Sequence, residues 1–210
     1  MSLDFLSPAQ SAVARSPMER EALAAGATLE ERDGWNVAVS FADEHGRLDT
    51  VAFADRSHIG KLELIREHGL ELGSAYARDD AWWCPTSKER ALILCEPART
   101  AELRAQLGDG VVDLTSAMGA LTIAGPLAPE TFARFTAIDL RPHVTPLHGF
   151  RPGSVARTPG AILREAEDRW LMLFGAALGS YVWTVVADAA ATLGGGPIGV
   201  DALAEVAVGA

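Results

Sequence analysis

Two stretches decide how this chain is read. They are Phe53-Ala54-Asp55-Arg56-Ser57-His58-Ile59-Gly60-Lys61-Leu62-Glu63-Leu64 and Val112-Asp113-Leu114-Thr115-Ser116-Ala117-Met118-Gly119-Ala120-Leu121-Thr122-Ile123. Each passes from an apolar residue through Asp and a short Ser/Thr segment to Gly, then enters the period-2 alternation of a strand. Further on, each is followed by a second matched strand, residues 90–95 and 169–174, and each of those leads into a helix-like run. Repetition on this scale predicts a duplicated unit. Strands outnumber helices, so the expected fold class is α+β. It would consist of two intertwined antiparallel sheet-plus-helix units rather than a βαβ series.

Working outward, helices are expected over residues 18–25, 96–107, 129–136 and 176–193, with a short one from about residue 200. Gly26 and the Gly194-Gly195-Gly196 run supply stops, and Pro97 falls in a first turn where its missing N–H is harmless. Strands are expected over 35–41, 48–54 and 60–65, with hairpins pairing 81–84 with 90–95 and 161–164 with 169–174. Residues 66–78 read as irregular and 139–159 as a Pro- and Gly-rich excursion. Residues 1–15 read as a mobile arm and 16–210 as one domain.

Composition narrows the function. At 210 residues, 49% of them hydrophobic, the chain can bury a single core. A net charge of −10 argues against nucleic acid as a partner, because phosphate binding needs clustered Lys and Arg. The longest apolar run, 178–193, is broken by Gly179, Ser180, Thr184 and Asp188, so no membrane span is expected. Asp4 and the lack of a basic leader speak against a secretory signal, and the cytoplasm is the expected location. Cys84 and Cys95 flank the first hairpin and read as free buried thiols, with a disulfide as the alternative. No Cys-x-x-Cys pair exists and the five histidines are scattered, so no metal is expected. There is no Gly-x-Gly-x-x-Gly or Walker loop, which counts against nucleotide-binding folds.

Several segments carry a resemblance. Ser16-Pro17-Met18, Gly26-Ala27, Asp33-Gly34-Trp35-Asn36-Val37 and Asp55-Arg56-Ser57-His58-Ile59-Gly60-Lys61 are similar to the opening of the glycine-cleavage T-protein (aminomethyltransferase) family. Val112-Asp113-Leu114-Thr115, Ala120 to Pro126 and Pro197 to Leu203 resemble later segments of it, in order. The chain stops where that family's C-terminal barrel-like domain would begin. Trp82-Trp83-Cys84-Pro85, Ile138 to His143 and Ser180-Tyr181-Val182-Trp183 look closer to the gamma subunit of heterotetrameric sarcosine oxidase. That resemblance implies the folate-binding-domain fold without a catalytic centre of its own.

It also places candidates. Asp79-Asp80 stands where the transferases carry an Asp-Asp pair, whose second member meets the reacting end of tetrahydrofolate. Asp80 is therefore the catalytic candidate, and Asp80, Trp83 and Arg157 are the cofactor-binding candidates; the bland alternative is a solvated strand end. The family's pterin-gripping hairpin is replaced by Leu163 to Arg169, and its acidic residue by Leu171, which puts tetrahydrofolate binding in doubt. Arg141, Arg151, Arg157 and Arg164 form an acid-free run suited to an acidic partner or a glutamyl tail, or to a solvated loop. Trp82, Arg141, Arg151, Tyr181 and Trp183 are the interface candidates. His58 reads as a structural hydrogen-bonding group, and neither Ser57 nor Ser116 sits in a nucleophile elbow.

The reading this supports is an accessory subunit docking on larger flavoprotein subunits of a heteromeric amine oxidase, with flavin and folate chemistry in the partner. The alternatives are a minimal tetrahydrofolate-dependent aminomethyl- or methyltransferase using Asp80, and a free-standing folate-binding homodimer.

Overall fold

In a computed structural model, which describes residues 12–207, the two copies lock together by exchanging sheets. The first copy sends its leading strand, Ala52–Asp55, into a six-stranded sheet and its trailing strand, Gly60–Ile65, into a five-stranded one. The second does the reverse, with Val111–Asp113 in the five-stranded sheet and Met118–Ala124 in the six-stranded sheet. Each trailing strand then receives its own hairpin. Ala81–Ser87 and Arg90–Cys95 extend one sheet, and Thr158–Ala166 and Arg169–Gly175 extend the other, all antiparallel.

The matched residues repeat in atomic detail. Asp55 Oδ1 accepts from the Ser57 N–H and Asp113 Oδ1 from the Thr115 N–H, both at 2.9 Å, so each copy turns on the same local bond. Gly60 lies opposite Cys95 and Gly119 opposite Phe174. A Cβ on Gly60 would meet Cys95 Sγ at 2.6 Å, and one on Gly119 would meet the Phe174 ring at 2.5 Å. Glycine is needed at both because side chains already fill that space, Thr100 and Cys95 at Gly60 and Phe174 at Gly119.

The two sheets pack face to face. Ile59, Leu92, Leu94, Leu163, Leu171 and Leu173 fill the space between them. Helix Thr100–Leu107 covers the outside of the five-stranded sheet through Leu103. Helix Gly179–Ala191 covers the six-stranded sheet, where Val182, Trp183 and Val186 meet Phe53, Met172 and Phe174. Period-2 alternation produces this division: Trp170, Met172 and Phe174 face the long helix while Leu171 and Leu173 face the other sheet.

Several expectations need correction. Residues 48–54 are not one strand; Arg47–Asp49 form a short 3-10 turn after left-handed Gly46, and pairing begins at Ala52. Ala27–Arg32 is a strand that was not expected, and it pairs with Trp35–Phe41 in a small third sheet. The excursion 139–159 contains strand Phe150–Val155. Its Pro152 is tolerated because this strand is the edge of its sheet. Tyr76–Arg78, within the segment read as irregular, forms the edge of the five-stranded sheet. The expected arm lies outside the described residues up to residue 11, and its end, Ala14–Arg15, pairs parallel with Trp35 and Asn36. Cys84 and Cys95 are both free and buried.

Candidate functional site

A cavity of about 520 Å³ opens between the two sheets, walled by residues that both copies contribute. Its charged side carries Arg56, which follows the first leading strand, and Glu165 and Arg169 from the second hairpin. Ile59, Trp82, Leu94 and Leu171 supply its apolar side. Asp79 and Asp80 stand at its rim.

The charges are engaged with one another. Arg56 Nη1 donates to Glu165 Oε1 at 2.8 Å, and Arg169 Nε lies 3.3 Å from Glu165 Oε2. The Glu165 side chain is only 6% exposed, so this carboxylate sits between two guanidinium groups largely away from water. Glu96 stands 3.8 Å from Arg56, and Arg78 lies 3.6 Å from Asp79.

Beside this wall the first copy buries a polar cluster that the second copy lacks. Lys61 is fully buried, and its Nζ donates to the carbonyls of Ser57 and Ile59 at 2.8 Å each and to that of Thr115 at 3.2 Å. Its ammonium thereby ties the two turns together. Burial lowers its pKa to about 8. Burial also raises the pKa of Asp55, against the Ser16 hydroxyl and Ser57 N–H that its carboxylate accepts from. His58 is driven down to about 4, first by burial and then by the cationic Arg56 and Lys61. Its imidazole is neutral near pH 7 and makes no hydrogen bond among the described residues, so the hydrogen-bonding role expected of it is not found there.

Asp80 does reach the cavity, but as a turn residue. Asp79 and Asp80, at φ 54° and 56°, are the two loop residues between paired Arg78 and Ala81, the geometry of a tight primed turn. Asp80 is exposed and has no ion-pair partner among the described residues. Trp82 lines the cavity and tilts against His148, ring centres 4.7 Å apart.

The remaining candidates scatter. Trp83 points to the opposite face of its strand, where it is buried with the Arg78 guanidinium 5.1 Å from its ring. Arg157 is exposed in a second tight turn, at φ 61°, and borders none of the cavities described. It does not join Asp80, because Ala156 and Arg157 merely close the hairpin between Phe150–Val155 and Thr158–Ala166. Trp183 is not a surface residue; it packs in the core against Phe41 and Phe53. Tyr181, two residues earlier on the same helix, is exposed.

The expected arginine surface dissolves into internal bonds. Arg141 pairs with Asp139, whose carboxyl it lowers to about 2. Arg151 donates to the carbonyls of Gly73 and Val144, and Arg164 is buried. Arg151 and Arg164 brace the loop against neighbouring backbone, Arg141 stays at the surface paired with Asp139, and only Arg157 of the four is left facing solvent unpaired among the described residues.

Sequence reasoning passed over Arg56, Lys61 and Glu165. A usable signal existed for Lys61: the first copy has Gly-Lys where the second has Gly-Ala, a cation in a position the repeat predicts to be buried.

No family model matches the sequence, and no curated protein does. Solved structures do. A chain of the heterotetrameric sarcosine oxidase from Corynebacterium sp. U-96, solved in complex with pyrrole 2-carboxylate, is 20% identical with a TM-score of 0.66, covering 85% of this chain and 95% of that one. The glycine cleavage system aminomethyltransferase T from Bartonella henselae is 14% identical with a TM-score of 0.74, covering 90% of this chain. This chain spans only 60% of that protein's length. The likeness is one of fold, and it is the α+β aminomethyltransferase-type fold that the resemblance implies.

Proposed function

We propose that this chain is a non-catalytic subunit of a heteromeric, flavin-dependent amine oxidase of the sarcosine oxidase kind, supplying shape and contact area while flavin and folate act in a partner. The observation that carries this reading is the self-engagement of the central cavity. A tetrahydropterin presents several donors and acceptors that must be paired once buried, and unmade pairs are expensive. Here the one buried carboxylate of the cavity wall, Glu165, is hydrogen-bonded by Arg56 and flanked by the Arg169 charge at 3.3 Å, and Leu171 places an apolar side chain beside it. The residues present do not fit a pterin. The near-complete overlap with a chain from a heterotetramer favours a subunit role in the same direction. Exposed Tyr181, with exposed Leu23 on the helix packed beside it, offers an apolar contact for such a partner.

Co-expression with a flavoprotein amine oxidase encoded beside it tests this reading. A stable complex bearing flavin absorbance and oxidase activity, weakened by Tyr181→Asp, is the expected result. A chain that elutes alone from every such pairing contradicts it.

The alternative, a minimal tetrahydrofolate-dependent transferase, draws on Asp80 at the cavity rim with a left-handed backbone, a conformation often held at functional sites. The two-residue turn accounts for that backbone without invoking function.

A further inference from the structure

A second and larger cavity, of about 670 Å³, lies on the other face of the six-stranded sheet, among helix Ala128–Ala133, the 138–142 segment and the Glu167-Asp168 turn. Its walls are apolar and partly aromatic, with Phe132, Ile138, Leu140 and Trp170. Arg164 and Trp170 are paired across the hairpin and both border it. Adjacent Leu163 and Leu171 face the central cavity side instead, so the two cavities are separated by the sheet.

Arg164 is the anomaly. Its side chain is buried, at 8% exposure, yet no carboxylate among the described residues lies within ion-pairing distance. Of its five N–H donors, one meets the Thr145 carbonyl at 3.1 Å and one the Glu167 carbonyl at 3.0 Å. The guanidinium stands 5.5 Å from the Trp170 ring centre, which relieves part of the charge. Arg164 Nε and Trp170 Nε1 have no acceptor. A buried cation without a counter-anion is rare, because desolvation is repaid only by a paired opposite charge. At the mouth, beside the Arg141–Asp139 ion pair, Glu167 and Asp168 are exposed and form no ion pair among the described residues.

A cation in the wall, acids at the entrance and an aromatic lining between them match one chemical class. We propose that this cavity binds a free α-amino acid with an apolar side chain. Its carboxylate pairs with Arg164, its ammonium faces Glu167 and Asp168, and its side chain lies along Phe132 and Trp170. A planar guanidinium is suited to a carboxylate because it can present two parallel N–H bonds. The volume falls within the range of small-molecule pockets. The site stands independently of the subunit reading, since it uses no residue of the central cavity.

The test is a titration of the ¹⁵N-labelled full chain with L-phenylalanine, following the indole N–H signal of Trp170, assigned with Trp170→Phe. Saturable movement of that signal is expected. Phenylalaninamide, which lacks the carboxylate, and 3-phenylpropanoate, which lacks the ammonium, should each bind at least about tenfold more weakly. Both controls use the wild-type chain, and should Trp170→Phe fail to fold, triple-resonance assignment of the wild-type indole signal serves in its place. An unmoved Trp170 signal, or a control that binds as well as L-phenylalanine, overturns the proposal.

Discussion

The two cavities on either side of the Thr158–Ala166 and Arg169–Gly175 hairpin differ less in how many charges they hold than in how those charges are engaged. In the central one, Glu165 is hydrogen-bonded by Arg56 and lies within ion-pair reach of Arg169, although its Oε2 and the Arg169 Nε make no hydrogen bond. In the outer one a single buried guanidinium leans on an indole and two backbone carbonyls. The lesson is that a polar wall is not by itself a recognition surface. Groups already paired stiffen a scaffold, and a ligand must break those pairs before it gains anything, whereas an unpaired buried charge leaves interaction energy available.

The largest expected effect comes from breaking the paired wall. Glu165→Ala leaves Arg56 and Arg169 without their buried anion and should lower stability by about 3 kcal/mol in urea unfolding. A change below about 0.5 kcal/mol would mean that the pairing is ornamental. Next is Lys61→Met, which strands three carbonyls and should cost about 2 kcal/mol in the same measurement.

The neighbouring His58 gives a pH dependence. Its folded pKa, about 4, lies below its ordinary 6.5, so the unfolded chain binds more protons between those values. Stability should therefore fall as pH drops through that window, by about 2 kcal/mol between about pH 7 and about pH 5. Asp55, shifted upward by burial, works in the opposite sense, adding stability as pH falls from its raised pKa toward its ordinary 3.8. Comparing wild type with His58→Asn isolates the histidine, and an unchanged acid limb in the variant would refute the assignment.

The contrast is sharpest at Arg164. Because it has no carboxylate to abandon, Arg164→Met should move stability by no more than about 1 kcal/mol in either direction while abolishing the Trp170 response to L-phenylalanine. A loss as large as that of Glu165→Ala would erase the difference between the cavities. Smallest of all, Asp80→Gly should raise stability by about 0.5 kcal/mol by relieving a left-handed φ, read as a small rise in thermal midpoint.

Much of the scaffold was legible because the repeat is local. The Asp, Ser/Thr and Gly pattern encodes a turn and a close approach, and alternation encodes which face of each strand is buried. Ala27–Arg32 escaped because it holds only one large apolar residue, Leu29, although Asp33-Gly34 between two extended segments was a hairpin signal in plain view. The candidate site was less legible. Glu165 and Arg169 meet Arg56 from more than a hundred positions away, and no spacing rule reports a pairing set by how two sheets stack. Trp183 was placed at a surface because an aromatic beside Tyr181 looks exposed in sequence, whereas a helix turns about 100° per residue and sends the two to different faces.

On the proposed reading the central cavity keeps its shape without a pterin grip, and calorimetric titration with tetrahydrofolate tests this most directly. No saturable binding is predicted up to about 100 μM, a ligand level that would reveal any affinity stronger than about −5.5 kcal/mol. Micromolar binding that disappears in Asp80→Ala would contradict it.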